Sequence, residues 1–533
     1  MEKKLNVVSA CFEAMLDQRF HIYAGGLGVV QAGLLKSAGR GDWPVNLYGL
    51  GILWSRGYYG QKIDPKKRRM EVEYKKREYG FLEDTGVRVA VDINGRPNTI
   101  KVWHLPSNVF KTVPCFFLDT DLKENDELAR SITQNLYGGN EETRLAQEIV
   151  LGIGGIRAFE ALGIPVDIYH GQEGHTLLIA AELLSRNLKL HASFKEACQA
   201  TRQQFVFTTH TPELAGNEEH HLDLMMRMGC LPGITREEAL SLAGDPFNMT
   251  VAALRLAKKA NAVSKLHRDI SNRMWSWVEN RCPLISITNG VDEDWQFPEF
   301  LQVITPEALQ PVKEKYKERL LKYVEKRTGK KFKKDVLTIV WARRFTDYKR
   351  PWLMFMDWPW LKKLLQDDKI QIIVAGKPHP HDQPAINYYN WVYEKSLEVP
   401  NLAILAGFEY EQNKLLKAGC DVWLQTPRRP REACGTSWMS ASALVMSSRD
   451  GGILESSPEN HFLFGADHLC REGEQDTIDF QDFKRTLVND VMDIYYNDKP
   501  GWYRKMLAAI LEKRQQFSSD RMLGEYIDLL YFS

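Results

Sequence analysis

The chain has 533 residues, 44% hydrophobic and 26% charged, which is enough to bury more than one core and exceeds what a single compact domain holds. A formal net charge of +1 removes any global electrostatic case for nucleic acid or an anionic membrane, so an anion site has to be local. The eight cysteines form no CxxC pair and lack the density of a disulfide scaffold, so reduced thiols and a cytoplasmic location are expected.

Asn6–Ala10 reads as the first strand, and because its apolar run soon meets Glu13 and Asp17, no signal peptide is predicted. No stretch is apolar enough over the length of a bilayer, so no membrane partner is expected. Next comes Tyr23–Val30, where Gly25, Gly26 and Gly28 would let backbone N–H groups approach an anion at a helix N-terminus. Such a turn is equally consistent with a plain tight turn.

Pro165–His170, Gln204–Thr209 and Leu284–Thr288 continue an alternation of short apolar runs with helical patterns, which predicts parallel α/β layers. His170, Glu173 and His175 sit where one of these strands becomes a helix; they are ligand types, but no further cluster completes a shell, and no metal is predicted. His210 ends another strand within Thr208–Asn217. Asn289 lies in Ile287–Val291, where Asn-Gly is also a turn signal.

Pro311–Lys334 is dense in Lys and Glu, with Leu320, Leu321 and Val324 at helical spacing, and predicts a solvated helix and linker. A second series of strands follows at Val336–Val340, Ile370–Ala375, Leu402–Leu405 and Val422–Leu424. Directly after the first of these, Arg344 and Lys349 supply a forked guanidinium and a point-charged ammonium that can converge on one oxyanion. Gly376–Pro380 follows the next strand and reads as architectural. In Arg428–Ser440, Glu432 precedes Gly435, Thr436 and Ser437, which offer backbone and hydroxyl donors to a phosphate. From Lys499 onward, Trp502, Met506, Ile510, Met522, Tyr526 and Leu529 are spaced to bury one helical face. The predicted organisation is an N-terminal domain over 1–295, a charged helical linker over 296–335, a C-terminal domain over 336–498, and helices over 499–533 bracing the two.

Together with Leu136–Asn140, Arg144–Glu148 and Leu151–Ala158, these motifs resemble the short bacterial and archaeal α-glucan (glycogen/maltodextrin) phosphorylases, in order from about Asn6 to about Gly465. Glu432-Ala433-Cys434-Gly435 also resembles a glycogen synthase segment. The resemblance implies an α/β GT-B glycosyltransferase architecture, two Rossmann-like doubly wound domains facing across a cleft, the first on the acceptor side and the second on the donor side. It implies retention of anomeric configuration and a catalytic set of His210, Arg344, Lys349 and Glu432. Arg344 and Lys349 would hold the donor phosphate with Gly25, Gly26, Gly28, Gly435, Thr436 and Ser437. His175, His210, Asn289 and Glu432 would hold the sugar. His210 would place its backbone carbonyl by the anomeric carbon, where a dipole stabilises an oxocarbenium-like state.

The chain departs from the family where the run ends. The family has a lysine that carries pyridoxal phosphate as a Schiff base; this chain has Ser440, and Asp450-Gly451 arrives about three residues early. A hydroxyl cannot replace that amine, so no covalent cofactor is expected and pyridoxal phosphate is doubtful. Three readings follow: a retaining hexosyltransferase using a sugar nucleotide, an α-glucan phosphorylase releasing glucose 1-phosphate, and a noncatalytic glucan-binding or regulatory protein. The expected partners are a sugar nucleotide or sugar phosphate and an α-glucan or oligosaccharide acceptor, without nucleic acid or membrane. No oligomeric state is assigned.

Overall fold

The apolar run Leu5–Ala10 (β1) lies inside a nine-stranded sheet, where Val7, Val8 and Ala10 are all buried, as expected of a strand covered on both faces. The computed structural model describes residues 4–533, which divide into two units. The first comprises the segment ending at Tyr58, Tyr74–Asp292 and Ser519–Ser533; the second comprises Tyr59–Glu73 and Glu293–Ser518.

In the first unit β1 is followed by β2 (Val45–Ile52), β3 (Glu83–Ile93), β4 (Arg96–Leu105), β5 (Cys115–Asp119), β6 (Ile168–Gln172), β7 (Phe205–Thr209), β8 (Ala260–Ala262) and β9 (Leu284–Ser286). Their order is β9-β8-β7-β6-β1-β2-β5-β4-β3, parallel except for the β3–β4 and β4–β5 pairs. β3 and β4 form a hairpin through Asn94 and Gly95, with φ of 52° and 71°, the left-handed pair that a two-residue hairpin turn demands. The winding turns from one side of β1 to the other between β5 and β6, so the loops after β1 and β6 meet at a topological switch point, where doubly wound sheets take ligands.

In the second unit β10 (Leu337–Ala342), β11 (Ile370–Ala375), β12 (Leu402–Leu405), β13 (Val422–Gln425), β14 (Leu444–Ser448) and β15 (Phe462–Phe464) form one parallel sheet ordered β12-β11-β10-β13-β14-β15. Its switch point lies between β10 and β13. The predicted strands are therefore present in both units, in the predicted parallel layers.

The predicted solvated linker is not one. Pro306–Thr328 forms a helix inside the second unit, packed on the helices Tyr410–Gly419 and Lys499–Gln516, with Leu309, Tyr316, Leu320 and Val324 buried. Two of its lysines are buried as well. Lys313 donates to the Ala418 and Ser442 carbonyls at 2.7 and 2.8 Å, and Lys317 reaches Asp421 at 2.5 Å, the Val336 carbonyl at 2.9 Å and the Tyr495 hydroxyl at 2.9 Å. Counting charges misses this, because a lysine whose donors are all satisfied can be buried.

The C-terminal helices divide between units. Lys499–Gln516 belongs to the second unit, whereas Ser519–Tyr526 packs in the first on the helix Gly26–Arg40. Trp502, Met506, Ile510, Met522 and Tyr526 are buried as their spacing predicts, but Leu529 is 41% exposed. Among the described residues no helix is long and apolar enough to cross a membrane.

Candidate functional site

In the second unit the loops after β10 and β13 carry the predicted anion-binding residues. They are held by Arg350, which is buried and donates to the Thr426 and Pro427 carbonyls at 2.9 and 2.8 Å while pairing with Asp476 and Asp479 at 2.8 and 2.6 Å. Arg428 ties the same loops, pairing with Asp347 at 2.6 Å and Asp476 at 2.9 Å. Neither arginine is marked by sequence as structural; only the fold distinguishes them from the solvent-facing Arg344.

Arg343, the neighbour of the predicted Arg344, is the one that pairs with Glu432, and the two side chains are 3% and 7% exposed. The Glu432 backbone N–H donates to Asp450 at 2.7 Å, which fixes the carboxylate from behind. Burial acts to raise the Glu432 carboxyl, yet the charges of Arg343 and Lys349 hold it below its usual range. Asp450 is pushed well up, first by burial and also by Glu432. Lys349 is pushed down to about 7, by burial first and then by Arg343, with Arg344 adding to the effect. Arg344 is exposed, and its charge reaches Tyr348, Lys349 and Glu432. Arg344, Lys349 and Glu432 are thus brought together, with Arg343 and Asp450 as partners that sequence reading missed.

Gly376 closes this cluster from the β11 side. Its φ is +126°, and a Cβ there would lie 1.8 Å from the Arg343 carbonyl oxygen, so the predicted architectural role has a specific cause. Gly435 adopts φ +74° and opens the short helix Thr436–Trp438, while Gln425 donates to the Ser437 hydroxyl at 2.7 Å and to the Gly435 carbonyl at 3.3 Å.

Ser440 is 1% exposed and accepts a 2.7 Å hydrogen bond from Lys417, a residue of the helix Tyr410–Gly419. The Lys417 ammonium also lies 4.4 Å from the Trp295 ring centre and 5.7 Å from that of Trp423. Carbonyls of the next residues are taken by other buried lysines: Ser442 by Lys313, and Ala441 and Ala443 by Lys513. Burial pushes Lys417 and Lys513 down to about 7 and Lys313 down to about 8. Nothing in the local sequence marks Lys417 as a neighbour of Ser440.

In the first unit the glycine turn already holds an anion from its own chain. Glu13 accepts from the Ala24 and Gly25 N–H groups at 2.7 and 2.8 Å and from the Tyr137 hydroxyl at 2.7 Å. A Cβ on Gly28 would sit 3.0 Å from the same carboxylate, so this glycine makes room for Glu13. Of the predicted phosphate donors here, the Gly25 N–H is committed to Glu13.

His210 is fixed at both ends, its N–H donating to Glu173 at 2.9 Å and its Nε2 lying 2.9 Å from the Gln172 amide oxygen. Burial and the nearby His267 and His170 push it down to about 3, leaving a neutral imidazole. Glu173, at φ +74°, also accepts from the Thr211 hydroxyl at 2.8 Å, and burial pushes its carboxyl up. His175 is buried, stacks on Phe12 with ring centres 4.3 Å apart, and accepts from the Phe12 N–H at 3.1 Å, which leaves Nδ1 to carry its proton. His170 is buried between Thr208 at 2.7 Å and Tyr531 at 2.9 Å, a core role. Asn289 is buried with its side-chain oxygen unpaired, as a hydroxyl-facing acceptor would be.

No protein-family model matches the chain. It is 40% identical to an uncharacterized protein of Methanocaldococcus jannaschii, over 98% of both chains. It is 30% identical to the maltodextrin phosphorylase of Thermococcus litoralis, over 98% of this chain and 70% of that one, and 30% identical to the glycogen phosphorylase of Aquifex aeolicus, over 96% and 84%. A glycogen synthase of Streptococcus equi matches at 25% identity over 70% of this chain. The two doubly wound units are those of the GT-B architecture, and a glycosyltransferase-type enzyme follows from the relatives. At this identity and coverage, the chain belongs to the glycogen/maltodextrin phosphorylase family.

Proposed function

We propose that this protein transfers a glucosyl-type unit, with retention, from a sugar nucleotide to an α-glucan or related acceptor, without an imine-linked pyridoxal phosphate. The observation that carries this reading is the hydrogen bond from Lys417 to Ser440. Where the resemblance places the cofactor's amine there is a buried hydroxyl, and the nearest amine, Lys417, is enclosed by Trp295, Trp423 and the Ser440–Ala443 segment. A hydroxyl at this position and an enclosed Lys417 support a reading in which the leaving group brings its own phosphate chemistry.

The charges present suit that task. Arg344 and Lys349 offer positive charge to a departing diphosphate, and Arg343 keeps Glu432 ionised as an acceptor for sugar hydroxyls. The anomeric C–O bond to phosphate breaks, the acceptor oxygen forms the new bond, and its proton leaves on the departing phosphate. The resemblance assigns His210 to the sugar, and its imidazole is neutral.

Phosphorolysis is the second reading, supported by the 30% identity to phosphorylases over nearly the whole chain. Thermal-shift titration of the full chain with UDP-, ADP- and GDP-glucose, and separately with glucose 1-phosphate, distinguishes the two. A shift with a nucleotide sugar and transfer to maltodextrin is the expected result. A shift with glucose 1-phosphate alone would replace this reading by phosphorolysis, and a shift with maltodextrin but no donor would leave a glucan-binding protein.

A further inference from the structure

On the helix Glu141–Ile149, Arg144 and Glu148 face the same direction one turn apart. They meet Glu218 and His220, which lie shortly after His210 in the chain. Glu148 is 0% exposed, and neither of its oxygens has a hydrogen-bond partner of acceptable geometry. His220 is 5% exposed and its Nε2 is likewise unpartnered, although its Nδ1 lies 2.7 Å from a Glu141 oxygen.

That last contact sets the tautomer. When His220 is neutral with its Nδ1 proton directed at Glu141, Nε2 offers a lone pair within reach of the Glu148 and Glu218 carboxylates. One atom each from Glu148, Glu218 and His220 lies within 4.8 Å of the other two. Two carboxylates and an imidazole nitrogen thus converge in a buried space, a donor set that a divalent cation could join. Arg144 does not fill that place: its fork is spent on Glu218, at 2.8 and 3.0 Å, with Nε also 2.9 Å from Glu148. Burial and then Glu218 push the Glu148 carboxyl well up, and against burial Glu218 and Glu141 push His220 up, so a divalent ion entering here would displace protons.

We propose that Glu148, Glu218 and His220 bind a divalent transition-metal ion, with Glu141 as the carboxylate that orients the histidine. No metal is expected from the sequence motifs. The donor set of one imidazole and two carboxylates suits zinc, manganese or cobalt, with ligand distances of roughly 2.0–2.2 Å for zinc. A histidine whose second nitrogen is held by a carboxylate is the usual arrangement around such ions. The ion would pin the Glu218–His220 segment to the helix Glu141–Ile149. Because Arg144 also stacks on Phe12 at 4.6 Å, and Phe12 on His175, the pin would reach the predicted sugar-facing histidine.

The test uses the full chain, purified without a metal-affinity tag or chelator. Elemental analysis is expected to find about one equivalent of a transition metal, and chelator-treated protein is expected to gain several degrees in Tm on adding zinc or manganese. Cobalt should give a visible ligand-field band that His220→Asn and Glu148→Gln both abolish. If those variants fold poorly, the half-exposed Glu141→Gln provides the check, with metal affinity about 10- to 100-fold weaker. Background metal content with no cation-dependent Tm shift would overturn the proposal and leave a carboxyl pair sharing one proton. So would a cobalt band unchanged in Glu148→Gln.

Discussion

Arg343 and Glu432, 89 residues apart, form an ion pair buried beneath the exposed Arg344. The motif after β10 therefore divides its labour between adjacent residues: Arg343 holds the carboxylate, and Arg344 faces outward. Removing one member of a buried pair leaves the other uncompensated, which costs about 3–5 kcal/mol. Arg343→Met is expected to lose stability on that scale in urea titrations. Glu432→Gln is expected to lose less stability but nearly all transfer activity. A Glu432→Gln enzyme with full turnover would remove Glu432 from the site.

Lys349 gives the donor site a pH dependence. Its ammonium is held down at about 7 in the ligand-free protein, by burial first and then by Arg343, and only the charged form attracts a phosphate. Donor affinity should be full below pH 7 and fall above it, by up to about tenfold per pH unit. Lys349→Met should bind weakly and without that slope, as read by calorimetry from pH 6 to 8.5. A flat wild-type profile would show that the lysine stays charged or does not touch the donor.

Lys417 affects stability with a definite sign. Its folded pKa of about 7 lies below that of a lysine in the unfolded chain, so the buried charge opposes folding in full below pH 7. As pH rises from about 7 toward 10.4, the folded state has lost the proton while the unfolded state keeps it, and stability gains up to about 1.4 kcal/mol per pH unit. Lys417→Met is expected to be more stable than wild type near pH 6.5, with the gap closing by pH 9 in urea unfolding. A destabilised methionine variant at every pH would mean that the bond to Ser440 outweighs the buried charge.

Glu13 competes for the place where the glycine turn would receive an anion. Glu13→Gln keeps an acceptor for the Ala24 or Gly25 N–H but removes the negative charge from a helix N-terminus, where charge is worth roughly 0.3–1 kcal/mol. Phosphate or nucleotide binding is expected to tighten by about two- to fivefold. Unchanged affinity would place the turn outside the anion site.

The fold was legible wherever strands are buried on both faces. Ile370–Ala375 and Leu402–Leu405 appear with the same limits in sequence and structure, because continuous apolar runs have no other stable use at that length. The hairpin of β3 and β4 was passed over although Asn94-Gly95 announced it, since its alternating Val and polar residues belong to the partly exposed end of the sheet. The site was half legible. Arg344, Lys349, Glu432 and His210 stand out by position in their motifs, whereas Arg343, Glu13, Gln172 and Lys417 acquire their contacts only through tertiary packing. Sequence spacing also cannot tell a solvated lysine from one like Lys313, whose ammonium donates to two carbonyls in the core.

The short helix that begins at Ser519 has a consequence for the order in which the molecule can be made. Its Ser519 hydroxyl meets Ser37 at 2.6 Å, and Tyr531 beyond it meets His170, so the layer over the first unit's sheet is finished by residues made after the second unit. The residues of the second unit, ending at Ser518, have all left the ribosome before those contacts can form. During synthesis the first unit is therefore completed only after the second has been made, and until then its central strands lack one of their covers.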